Sequence, residues 1–292
     1  MTTFSQHQVS DVNLIDGPYA WLRLAASVAL GTIGSIGFWG VIVTLPAVQG
    51  EFEVARSDAS IPYTLTMIGF AIGNVIIGRC VDRFGIVIPI IIAAFAMMIG
   101  FGAASAAENI WILGVLQGVF VGIGTATSFG PLIADISHWF RRRRGVAVGF
   151  CASGFYFGGM IWPLVMNFLM EGYDWRTTYV VVAIVIVLTM VPLGLMLRRV
   201  PPKEDPLAIS TELSGSRNQN YHRQTIDLSP RSLIILLSIA GIGCCVAMSM
   251  PQVHIVAYCG DLGYGLARGA EMLSLMLAGG AVTRIVSGFI AD

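Results

Sequence analysis

Gly78-Arg79-Cys80-Val81-Asp82-Arg83-Phe84-Gly85 lies between two long apolar runs and packs two glycines, one acid and two arginines into eight residues. The chain repeats the core of this stretch at Gly288-Phe289-Ile290-Ala291-Asp292, again a Gly and an Asp four apart after an apolar run. Gly288 lies 210 positions after Gly78, and Asp292 lies 210 after Asp82. The same offset sets 21–82 on 231–292 without a gap. Gly31 then falls on Gly241, Gly50 on Gly260, Gly69 on Gly279, Ala71 on Ala281 and Glu51 on Asp261. Self-similarity at a fixed period marks a structural unit used more than once. Here the unit is a helix-loop-helix used twice.

The rest of the composition says where that unit sits. Of 292 residues, 55% are hydrophobic and only 12% charged, against about a quarter charged in a soluble domain. Mean hydropathy is +0.77. These values specify a polytopic membrane protein. About 20 apolar residues cross a bilayer as a helix, and eight runs qualify: 24–47, 61–78, 86–106, 110–134, 145–169, 178–197, 233–258 and 272–291. Lipid leaves no partner for irregular backbone, so each run is predicted helical throughout. No run alternates with period two, which argues against an outer-membrane barrel. Net charge is zero, so nothing points to nucleic acid. The five cysteines (Cys80, Cys151, Cys244, Cys245, Cys259) lack metal spacing and read as packing residues. Residues 1–20 lack a basic start before an apolar core, so a cleaved signal peptide is not expected.

Orientation follows from the basic residues. With the N-terminus in the cytoplasm, the inner segments hold 12 of the 17 Lys and Arg, including Arg141 to Arg144, and the outer loops hold Arg56, Arg176 and Arg268. That asymmetry predicts N-terminus-in. Residues 1–23 form a cytoplasmic tail, 24–197 a six-helix bundle, 198–231 a polar cytoplasmic linker and 232–292 the first two helices of a second bundle. Spaced glycines (Gly31, Gly34, Gly37 and Gly40; Gly118 and Gly122; Gly154 and Gly158) mark places where helix backbones approach closely in lipid.

Polar residues inside the spans carry the candidate chemistry. Arg284 lies eight residues before Asp292, about 12 Å along a helix and inside the hydrocarbon, where a cation is costly. No acid stands within a turn of it: the neighbours three and four away are Ala281, Gly280, Ser287 and Gly288. A guanidinium without a local acid suits a carboxylate ligand. A structural pair elsewhere, or snorkelling to the surface, is the plainer reading. The 210 offset sets Arg284 on Asn74, and polar groups at matched depth in two repeats suit a site at the repeat interface. His254, near the outer end of the seventh span, titrates near physiological pH but more often packs. Asp135 and His138 are expected to pair locally with Arg141 or Arg142, and Asp174-Trp175-Arg176 to cap the sixth helix. There is no catalytic constellation, nucleotide loop, cofactor motif or metal cluster, so an enzyme is not expected.

The chain resembles two nested families. Gly78, Asp82, Arg83 and Gly85 match the loop signature of the major facilitator superfamily, although Ile86 and Val87 stand where it has two basic residues. The resemblance implies an all-α, twelve-helix secondary transporter of two six-helix halves, of which eight spans are present. It makes Gly78, Asp82, Arg83, Gly85, Gly288 and Asp292 a gating motif. Trp139-Phe140-Arg141-Arg142-Arg143-Arg144-Gly145, with the glycines after it, looks like the start of the fifth helix in monocarboxylate transporters. Asp16-Gly17-Pro18-Tyr19-Ala20-Trp21 looks like that family's first-helix signature, and Arg284 falls where the family keeps a substrate-binding Arg. The family's acid four residues before that Arg is Gly280 here, and its first-helix Lys falls near Trp39. Anion binding is therefore suggested, but the family's proton-coupling residues cannot be carried over.

The expectation is a multi-pass cell-membrane transporter moving a small organic anion by alternating access. Arg284, Asn74 and His254 would bind substrate, and proton symport is left open. A drug or neutral-metabolite exporter and a non-transporting truncated membrane protein are the alternatives. Because a two-bundle mechanism needs a whole second half, the 292-residue chain alone is expected not to transport.

Overall fold

The computed structural model describes residues 15–199 and 229–292. Among the described residues, eight helices are long and apolar enough to cross a membrane: α1 (Pro18–Phe52), α2 (Ile61–Phe84), α3 (Val87–Ala104), α4 (Ile110–Ser137), α5 (Arg144–Gly172), α6 (Trp175–Met196), α7 (Pro230–Asp261) and α8 (Leu266–Ala291). They follow the eight predicted runs in order, and among the described residues there is no strand.

The chain divides into two compact units, one of residues 1–200 with 255–292 and one of 201–254. In the first, α5 packs against both α1 and α8, α3 against α6, and α2 against α4. The helices are apolar on every side. On α3, Ile90, Ala94, Met97 and Phe101 are buried while Ile88, Ile92, Phe95 and Ile99 are exposed. A helix apolar all round belongs in lipid. The described part of the second unit, residues 229–254, is helical from Pro230 with Ile234, Leu237, Ile242 and Val246 exposed.

Glycine sets the close approaches. A Cβ on Gly69 of α2 would come within 1.9 Å of the Gly118 carbonyl of α4, and one on Gly154 of α5 within 2.7 Å of the Val28 carbonyl of α1. In lipid, burial of apolar area no longer drives association, so such backbone contact takes its place.

α4 departs from the plain helix expected of it. Gln117–Gly122 is a π-helical turn, Ala126–Ser128 is 3₁₀, and Phe129 (φ −127°, ψ −85°) breaks the helix before it restarts at Gly130 and Pro131. Pro131 has no N–H to give, so the break is written into the sequence. Irregular backbone inside a membrane is tolerated where it faces protein or a cavity rather than lipid.

Two arginines fasten the bundle at its opposite ends. Arg23 of α1 is fully buried and donates to both oxygens of Asp135 on α4, and to the carbonyls of Leu197 and Arg199 after α6 at 3.0 Å each. Its guanidinium lies 4.6 Å from the centre of the Trp139 ring. The hydrogen-bonded ion pair described for Asp135 is thus with Arg23, where local pairing with Arg141 or Arg142 was expected. The partner comes from α1, because α4 turns Asp135 into the bundle while the basic run starts outside it. At the other end, Arg176 of α6 donates to Glu51 of α1 at 2.7 Å and to the carbonyls of Ser105 and Ala107 after α3. Asp174 caps α6 as expected, accepting from the Thr177 amide at 3.0 Å.

Candidate functional site

Arg284 stands within about three residues of the middle of its apolar helical span, 271–291. Its Nη2 donates to the Tyr156 hydroxyl of α5 at 3.1 Å, and its Cζ lies 4.7 Å from the centre of the same ring. A second ring, Phe129, is 6.0 Å away. No carboxylate among the described residues pairs with it. Of the five N–H donors a guanidinium carries, one donates to a side chain among the described residues.

Gly280 explains why Tyr156 can take this place. A Cβ on Gly280 would come within 2.8 Å of the Tyr156 ring. The ring therefore occupies space that any side chain at 280 would claim. An aromatic hydroxyl and ring face hold the cation where an acid at 280 would have neutralised it. Trp39, at the other departure from the family pattern, is buried with its Nε1 donating to the Phe155 carbonyl at 3.2 Å.

The α4 break joins this site to Asn74. Asn74 donates to the Phe70 carbonyl at 2.8 Å, and its Oδ1 lies 2.9 Å from where a Cβ on Gly130 would sit. Asn74 on α2 and Arg284 on α8 thus flank adjacent residues of the break, Gly130 and Phe129. His254 lies on the part of α7 that belongs to the second unit and is exposed. The contacts described for the site come from the first unit alone.

The two copies of the opening motif differ. Asp292 reaches the first turn of α5, its oxygens accepting from the amides of Gly145 at 2.5 Å and Val146 at 2.8 Å. These are helix N-terminal donors without intrahelical partners, and they favour an anion. Gly288 packs on Gly145, where a Cβ would meet its carbonyl at 2.7 Å. In the first copy Asp82 and Arg83 are exposed, Arg83 lies 5.3 Å over the Phe84 ring, and Gly85 (φ +75°) ends α2. Space around Gly78 and Gly85 is open.

The two segments that resemble monocarboxylate transporters meet in space. Asp16 accepts from the Arg142 amide at 3.2 Å, and its own amide donates to the Trp139 carbonyl at 3.1 Å. Tyr19 packs on Trp139 and Trp21 on Phe140, with ring centres 5.3 and 5.2 Å apart. The sequence reading named both segments but could not see their contact. Nor did it find Tyr156, whose only signature is a place among packing aromatics.

Apolar helices in this number, with a polar constellation at mid-span, define a multi-pass membrane protein. The sequence profile of the Major Facilitator Superfamily matches residues 28–292, and the chain belongs to that superfamily. It is 28% identical to the MFS-type transporter pytF of Aspergillus terreus, over 95% of this chain and 91% of that protein. It is 24% identical to MFS-type transporter 1 of an Ophiocordyceps species, over 84% of this chain. Monocarboxylate transporter 11 of Mus musculus shares 25% identity over 95% of it. The chain spans 52% of the Ophiocordyceps protein and 60% of the mouse one.

Proposed function

We propose that this chain belongs to a secondary active transporter of small organic anions, with Arg284 as the anion anchor. The observation that supports this reading is a mid-span guanidinium held by a phenol and two rings, with no carboxylate partner among the described residues. A cation at mid-span left without an acid is expensive, and a carboxylate cargo would supply the missing charge bidentately. Asn74 would contribute a second polar group across the α4 break. Alternating access would proceed by rocking of helix bundles, with Asp292 on the first turn of α5 and Asp82 of the first motif acting as latches. The membrane is the cell membrane, with the N-terminus cytoplasmic. Symport with a proton would use residues other than those of monocarboxylate transporters, since Gly280 and Trp39 replace them.

The test is uptake of radiolabelled monocarboxylates into vesicles carrying the whole transporter. Arg284→Lys keeps the charge and loses the fork, so affinity is expected to fall about tenfold or more. Unchanged affinity in Arg284→Ala would remove Arg284 from the site. Names given to the fungal relatives leave room for a neutral cargo. Saturable uptake of neutral metabolites indifferent to Arg284 would support that second reading.

A further inference from the structure

Five aromatic side chains form one connected group beside Arg284. From Phe129 the ring centres run to Phe155 at 5.4 Å, on to Phe38 at 5.2 Å, and from Phe38 to Phe70 at 5.2 Å and Tyr63 at 6.0 Å. The rings come from α1, α2, α4 and α5. Phe38, Phe70 and Phe155 each fall within about three residues of the midpoint of their spans (18–52, 57–84 and 144–172), as Arg284 does in its own.

This is not the packed core. Phe101, Trp139, Phe140 and Tyr179 are fully buried, whereas all five rings of the group are half-buried. Phe38, Phe70 and Phe155 therefore keep accessible surface at the depth where the cation stands. These four contacts are edge-to-face, the geometry that aromatic quadrupoles prefer and that can accept a further ring. Phe129 links the two features, since it touches both the Arg284 cation and Phe155.

We infer that the anion held at Arg284 carries an aromatic ring, seated against Phe129, Phe155 and Phe38. This rests on the reading of Arg284 as the carboxylate anchor and narrows it from small carboxylates to aryl-substituted ones. A one- or two-carbon acid would satisfy the guanidinium but leave the rings uncovered. An arylacetate would reach from the guanidinium across Phe129 to Phe155.

Thermal stabilisation of the purified protein by phenylacetate, cyclohexylacetate, acetate and 2-phenylethanol tests this directly. Cyclohexylacetate is the more apolar acid, so a preference for phenylacetate reports ring contacts and not bulk. Phenylacetate is expected to bind about threefold to tenfold tighter than cyclohexylacetate, and tighter still than acetate. Phe155→Leu and, at the edge of the group, Phe129→Leu should erase that preference while binding stays dependent on Arg284. Equal binding of acetate and phenylacetate, or of the two bulky acids, with Arg284→Ala abolishing it, would overturn the aromatic inference and leave the anchor standing. If 2-phenylethanol bound as well as phenylacetate, or Arg284→Ala changed nothing, the anchor itself would fall and this inference with it. Absence of binding by phenylacetate would also overturn it.

Discussion

The Arg23 guanidinium grips both oxygens of Asp135, Nε to Oδ2 and Nη2 to Oδ1 at 2.7 Å each, across 112 residues of sequence. Side-chain exposure is 0% for Arg23 and 8% for Asp135, so each charge depends on the other. The same arginine holds the carbonyls that follow α6, which makes the pair a three-helix fastening and not a local contact.

Breaking such a pair by removing one partner leaves an uncompensated buried charge, an effect of about 3–5 kcal/mol. Asp135→Asn should therefore lower the unfolding midpoint sharply. The double variant Arg23→Met with Asp135→Leu should recover most of the loss, because no charge is then stranded. Thermal unfolding of the three proteins in detergent decides it. Equal losses in the single and double variants would show that the carbonyl contacts, not the charges, carry the stability.

How this pair escaped the sequence says what was legible. The eight spans could be read because lipid admits one backbone solution, and a run of apolar residues announces it. The packing role of the glycines was legible for the same reason. Asp135 was assigned to the nearest arginines because sequence shows only neighbours, and its true partner lies on another helix. The α4 break was missed, because the run 110–134 reads as one apolar helix; Gly130-Pro131 is its one sequence mark, and the π-turn before it has no single-residue signature. Arg284 stood out through the cost of its charge, whereas Tyr156 is one more aromatic in an apolar run.

Asp174 gives a pH signature outside the membrane span. Its carboxyl is held below its usual value of 3.8, chiefly by hydrogen bonding to the Thr177 side chain and then to the Thr177 amide. A folded value below the unfolded one means that the stabilisation is present above about pH 3.8 and fades as pH falls through the lower, folded value. Asp174→Asn keeps a capping oxygen but does not titrate. The stability difference between the two proteins should close as pH drops below 3.8, measured as unfolding midpoints between neutral and strongly acidic pH. A gap that stays constant with pH would mean that the cap is not set by the ionised carboxylate.

Asp292 and Asp82 should separate in function. Asp292 closes α8 onto the first turn of α5, beside an open cleft of about 520 Å³ that Ser137 also lines. Asp292→Asn weakens the charge-assisted bonds to Gly145 and Val146. A cysteine placed at Ser137, in a background without the five native cysteines, should then label faster. Asp82→Asn should leave that labelling unchanged and slow transport more than it weakens substrate binding. Loss of binding with intact cycling in Asp82→Asn would refute the latch role of the first motif.

Gly280 offers the sharpest test of the site, because one substitution should turn a pH-insensitive anion site into a pH-sensitive one. In Gly280→Asp the new side chain needs the space now filled by the Tyr156 ring, 2.8 Å from the glycine's Cβ position. The ring must withdraw. The carboxylate then stands one helical turn before Arg284, the acid-first spacing that favours pairing along a helix. Above its own pKa it neutralises the guanidinium and competes with an incoming carboxylate, so substrate affinity should fall. Protonation removes the competitor, so affinity should recover as pH falls, whereas the wild-type has no acid paired with Arg284 among the described residues. Gly280→Asn supplies the same bulk without the charge and should show the loss of Tyr156 contact without the pH dependence. Binding of a monocarboxylate between pH 5 and 8 in the three proteins distinguishes the outcomes. If Gly280→Asp bound the anion as tightly at pH 8 as at pH 5, Arg284 would not be the group that meets the cargo.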